Sequence, residues 1–239
     1  MHVFGERRQS LALMGVALVI LEVVASVTFL AAYDFDVKTL GSNPGALPAR
    51  GAEVAGLLRL GTIVDMLGYL AFAPIVLYLH RRLSAAVSDG VRMLGLPSLL
   101  TFCGLGFVLV GSIGAVLYAS AGPPLLEASS GGSASATAAR IAFAALGNGV
   151  SAGLWGTLEQ LLLAVWLIGV GWLVRAEGRA FASLAMVAGL GALSYAARTG
   201  LTGHPPADIT APLDLLTFGA LGLFLGWLLW LAVRLWQGR

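Results

Sequence analysis

Six runs of apolar residues, separated by short polar links, constrain what this chain can fold into more than any other feature. A hydrocarbon core ~30 Å thick takes ~20 apolar residues to cross as a helix, and a segment inside it must satisfy its own backbone hydrogen bonds. The runs lie at 10–32, 57–80, 94–119, 153–174, 180–197 and 213–236. They predict an all-α, polytopic integral membrane protein, a six-transmembrane-helix bundle forming a single membrane domain over 1–239. Composition agrees. The chain is 58% hydrophobic and 11% charged, with a mean hydropathy of +0.89, whereas about a quarter of an ordinary soluble domain is charged.

The first run follows Glu6, Arg7 and Arg8, a basic start that could introduce a signal peptide. It is too long for one and is interrupted by Glu22, so it reads as a first span. A polar loop with Asp34, Asp36, Lys38 and two prolines follows, and Pro48 is placed to open the second helix. Pro74 should kink that helix. The third run is rich in Gly and Ser, which lets helices approach closely. Gly122-Pro123-Pro124 should end it and begin a flexible outer loop over 121–139. The stretch 140–175 is too long for one span, and Gly147-Asn148-Gly149 offers a break. A short interfacial or re-entrant helix before a span from Gly153 is expected there, in preference to one long projecting helix. In the last run, Gly222 and Gly226 form a GxxxG packing pattern.

Six spans put both termini on one side. Arg7, Arg8, Arg81, Arg82, Arg92, Arg175, Arg179, Arg234 and Arg239 fall on that side and Lys38, Arg50, Arg59, Arg140 and Arg198 on the other. The basic excess predicts cytoplasmic termini, in a bacterial inner membrane. Tyr33, Tyr118, Trp155 and Tyr195 fall near the outer boundary, and Tyr78, Trp172, Trp230 and Trp236 near the inner one. A three-plus-three repeat finds no support, since the links after the first and fourth runs differ in length and text.

Against this apolar background the acids inside the runs stand out: Glu22, Asp65 and Glu159. An ionisable side chain at the bilayer centre costs ~2.5–3.5 kcal/mol on insertion scales, so each needs a partner or a use. At about 100° per residue, Thr62, Asp65, Tyr69 and His80 share one sector of the second helix. The expected arrangement is an acid and arginine cluster in the outer half of the bundle, drawing on Arg59, Arg140 and Arg198. Asn148, Gln160, Tyr69 and Thr62 would complete its hydrogen bonds. Such a cluster serves either as a ligand-binding or proton-linked site, or as neutralised structural pairing.

Other chemistries find little in the sequence. The net charge of +2 is spread singly and in pairs at span ends, so nucleic acid is excluded as a partner. Cys103 is the one cysteine and His2, His80 and His204 are the only histidines. They are too few and too scattered for a haem or zinc site, so no metal or cofactor is expected. Ser151, Ser183 and Ser194 lie on small-residue faces without a GxSxG elbow. Gly104, Gly106 and Gly111 lack the strand and Lys-Ser/Thr of a phosphate loop.

Two stretches, LLRLGTIVDMLGYLAFAPIVLYLHRRL at 57–83 and GLWGTLEQLLLAVWLIGVGWLVR at 153–175, resemble a family of bacterial six-helix membrane proteins, domain of unknown function 4386. The resemblance implies the same span count and loop pattern and carries over Arg59, Asp65 and Tyr69 as shared positions. It implies no activity, and Glu159 has no counterpart in the family's pattern. The sequence therefore ranks binding or transport of a small or lipidic ligand first. A structural or accessory subunit, in a homo-oligomer or with a membrane partner, comes second, and a membrane-embedded enzyme third.

Overall fold

The computed structural model describes residues 2–36, 39, 43–86, 95–203 and 212–238. Lys38, Asp89, Arg92, His204 and Asp208 lie outside the described residues. Among the described residues the chain is helical, without strands. The helices are α1 (His2–Ala32), α2 (Ala55–Ala86), α3 (Leu96–Ala128), α4 (Ala134–Asn148), α5 (Gln160–Leu173), α6 (Arg179–Thr202) and α7 (Pro212–Trp236). A π-helix, Gly149–Glu159, joins α4 to α5 without a break. Six helical units are long and apolar enough to cross a membrane, with α4, the π segment and α5 counting as one.

The spans form a closed ring. Each packs on the next in chain order, from α1 through α2, α3, the π–α5 unit and α6 to α7, and α7 returns to α1. The Arg8 guanidinium donates to the Gly238 carbonyl at 2.8 Å, so both ends of the chain meet at one end of the bundle. We call this the terminal end and the opposite one the loop end. The interior of the ring is filled by Phe72, Phe107, Trp166, Phe224 and Trp227, whose rings meet edge to face with centroids 5.0–6.2 Å apart. Outside, large apolar side chains point away from every span: Leu13 and Ile20 on α1, Leu70 on α2, Phe102 on α3, Leu190 on α6 and Val233 on α7 are all exposed. An apolar exterior on all sides is the surface of a protein whose solvent is lipid.

Two local expectations are corrected. The third helix does not stop at Gly122-Pro123-Pro124 but carries both prolines and runs on to Ala128. Each proline removes one backbone bond, yet fully buried Leu126 anchors the extra turn in the core and the Ser129 backbone N–H closes it onto Leu125 at 2.9 Å. The expected flexible loop 121–139 therefore shrinks to a turn over 129–133. Ser133 caps α4 by accepting from the Ala136 N–H at 3.1 Å.

The expected break at Gly147-Asn148-Gly149 is likewise absent, and no re-entrant or separate interfacial helix forms. The helical unit runs unbroken from Ala134 to Ala176, 43 residues. Its excess length is accommodated because the ends of α3 and α4 pack as a hairpin at the loop end. A 3-10 segment, Pro44–Arg50, lies on α4 with Gly45 seated against Ala144. Pro48 lies inside this segment rather than at the start of α2. The Gly222 and Gly226 pattern does not pack against the described residues, since a Cβ at either would meet nothing there within 4 Å.

Candidate acid–tyrosine site

The interior has two apolar clusters. The larger fills the terminal half and reaches Tyr69, Phe107 and Leu163. The smaller, with Tyr33, Leu58, Tyr118, Phe143 and Val150, fills the loop end. Between Leu58 and Tyr69 on α2 lie Thr62 and Asp65, and between Val150 and Leu163 lies Glu159. On α6, Thr199 lies beyond the last α6 residue of the larger cluster, Ala192. Apart from Ser129 in the loop-end turn, the buried polar side chains among the described residues thus form a belt across the bundle, with Glu159 3% and Asp65 8% exposed.

Within this belt the Tyr69 hydroxyl donates to Glu159 Oε2 at 2.9 Å, tying α2 to the end of the π segment. The Gln160 amide lies at 3.5 Å from Glu159 Oε1, a long contact. Glu22 reaches in from α1 over Gly68, where a Cβ would stand 2.5 Å from its Oε1. The three carboxyls are close enough to sense one another's charge, and Tyr195 of α6 lies within the same range of Glu159. Glycines make the room. Gly111 of α3 cradles the Tyr69 ring, and Gly114 receives the Trp155 indole, whose N–H donates to the Gly111 carbonyl at 3.2 Å.

Glu159, the last residue of the π segment, is buried. An i→i−5 pattern inserts an extra residue per turn relative to the flanking α-helix, and such segments are rare and frequently found at functional sites. The Thr157 hydroxyl donates to Ala152 O at 2.7 Å, five residues back, and Gly156 presses against Thr199. Larger residues would not fit there.

Of the residues singled out from sequence, Glu22, Asp65, Tyr69, Glu159 and Gln160 come together. Thr62 is buried in the same sector, but its hydroxyl is occupied by its own helix, bonding Leu58 O at 2.8 Å and Arg59 O at 3.0 Å. Asn148 lies on the same helical unit toward the loop end, half-buried. Among the described residues, two of the expected arginine partners, Arg59 and Arg140, turn elsewhere. Arg59 is exposed, and Arg140 binds the carbonyls of Ser129 and Gly131 at 3.0 and 2.6 Å, where the C-terminus of α3 offers it negative partial charge. Arg198 is half-buried on α6, one turn beyond Tyr195. Ion pairs between described residues join Arg50 to Asp34, and Arg82 and Arg234 to Glu177, all outside the belt. Gly68, Gly111, Ser112, Tyr195 and Thr199 were not anticipated. A helical glycine opposite a long polar side chain is the signal that could have pointed to Gly68 and Gly111.

Near the loop end, Tyr33 donates to Pro44 O at 2.6 Å. Burial first, and the neighbouring Tyr118 second, push its phenol above the ordinary tyrosine value, so it stays a neutral donor.

No family model, curated protein or solved structure matches this chain.

Proposed function

We propose that this chain is a proton-linked binding or transport protein of the bacterial inner membrane, with cytoplasmic termini, acting on a small or lipidic ligand. The observation that carries the reading is the Tyr69–Glu159 hydrogen bond set among two further carboxyls in the interior of an apolar ring. Carboxyls this close in an apolar interior repel one another as anions, and taking up protons relieves that repulsion. A site of that kind gains and loses protons when its surroundings change, which is the elementary step of proton-linked binding. Of the positions that the resemblance to domain of unknown function 4386 carries over, Asp65 and Tyr69 belong to this site and Arg59 to the exposed surface. The cytoplasmic assignment rests on the excess of arginine at the terminal end.

The test is proton flux into liposomes holding a pH-sensitive dye under an imposed pH gradient. Wild type should pass protons and Glu159→Gln should not. Equal, background-level flux from both, together with no pH-dependent ligand shift in melting temperature, would overturn the reading. Cysteines placed in the 129–133 turn and near Gly238 test orientation with an impermeant reagent.

A second reading, a structural or accessory subunit, draws on Gly222 and Gly226, where an added Cβ meets nothing within 4 Å among the described residues. A stoichiometric membrane partner, lost on changing both to leucine, would support it.

A further inference from the structure

We propose that a file of ordered water runs from the loop-end surface to the acid–tyrosine site. The observation behind it is a set of polar atoms that the protein itself leaves without partners. The hydroxyls of Ser112, Tyr118 and Thr199 and the Asn148 side-chain oxygen are buried and make no hydrogen bond. Buried polar groups are almost always satisfied, and where protein supplies no partner a water commonly does.

The four orphans are not scattered. Thr199 packs its methyl on Gly156, three residues before Glu159, which brings its side chain to the level of the site. Ser112 follows Gly111, which cradles Tyr69 and accepts the Trp155 N–H. Toward the loop end, the Tyr118 hydroxyl sits over Gly147, beside Asn148, at 3.0 Å from where a Cβ would stand. It has Tyr33 and Ser151 as neighbours without meeting bonding geometry to either. Tyr33 in turn lines a cavity of about 230 Å³ with Asp34, Asp36, Thr39 and Arg50. Asp34 and Asp36 are exposed, which places that cavity at the surface.

One further orphan lies elsewhere. The Trp227 N–H is enclosed by aromatic rings, with the Trp166 ring at 89° to its own and centroids 5.6 Å apart. Trp227 lies in the aromatic core, with the Phe181 ring stacked on it at a centroid distance of 5.3 Å, away from the four polar orphans. The dry core and the orphan track are therefore separate features of the same bundle.

The proposal deepens the proton-linked reading and rests on it for its purpose: a water file gives protons a route between the loop-end surface and Glu159. Hydration itself can be tested independently. Radiolytic hydroxyl-radical labelling of the full chain in nanodiscs oxidises buried side chains beside bound water, and mass spectrometry locates them. Tyr118 and Tyr69, 2% and 7% exposed, should be labelled several-fold faster than Trp166, 1% exposed in the dry core and intrinsically at least as oxidisable. Labelling of either tyrosine no faster than Trp166 overturns the file. Labelling retained in Glu159→Gln while wild type shows neither proton flux nor a pH-dependent ligand shift supports the file and sinks the proton-linked reading. Flux without labelling does the reverse.

Discussion

Tyr69 is the residue on which the belt converges, because its ring is fixed by one glycine and its hydroxyl by one carboxyl. Gly111→Ala puts a methyl into the Tyr69 ring, and overpacking of that kind destabilises by about 1–3 kcal/mol. Gly222→Ala meets nothing and should be neutral or stabilising by ~0.5–1 kcal/mol, so melting of the two variants in detergent separates packing from helix propensity. Tyr69→Phe removes the donor to Glu159 and should cost about 1–3 kcal/mol. Glu159→Gln keeps an acceptor for the Tyr69 phenol and sheds a buried ionisable group, so its loss should be the smaller of the two. The opposite order in thermal melts would mean that an ionised Glu159 holds the site together.

Among the elements, the π segment is the most sequence-dependent. A Cβ at Gly156 would lie 2.6 Å from Ser151 O and 2.7 Å from a Thr199 methyl. Gly156→Ala should therefore disturb the segment from within its own backbone and lower the melting temperature, whereas Gly153→Ala, with nothing within 4 Å, should not. Ser133→Ala removes the cap of α4 and should cost about 0.5–2 kcal/mol in the same assay. The six spans were legible from hydropathy because lipid punishes any other arrangement of an apolar run. The acids were legible because a charge in such a run is an anomaly. The ends of α3 and α4 were not, since Pro123, Pro124, Gly147 and Gly149 carry a local preference for breaking helices that packing between α3 and α4 outweighs. Arg59 departs from its expected place for a related reason: its depth along α2 suits the cluster, but it stands on the exposed side of the helix.

At the scale of the whole molecule, the terminal end is tied together by Glu177, which takes Arg82 at 2.9 Å and Arg234 at 3.6 Å. These side chains are partly solvated, so the ties set register more than stability, and Glu177→Ala should lower the melting temperature only slightly, by up to about 1 kcal/mol, an effect that salt reduces. Stability resides in the ring, where α7 contacts both α6 and α1. A chain truncated after Thr202 should lack a stable fold in detergent and be degraded in the cell, as monitored by pulse–chase. The closed ring also has a consequence for biogenesis. During synthesis α1 finds one of its two partners soon, in α2, but waits for α7 to supply the other. Until α7 is inserted, the flank of α1 that will receive Ala232 against Gly15 remains an open seam in the membrane, so the nascent protein is most vulnerable to quality-control proteases, and most in need of an insertase, just before α7 is delivered.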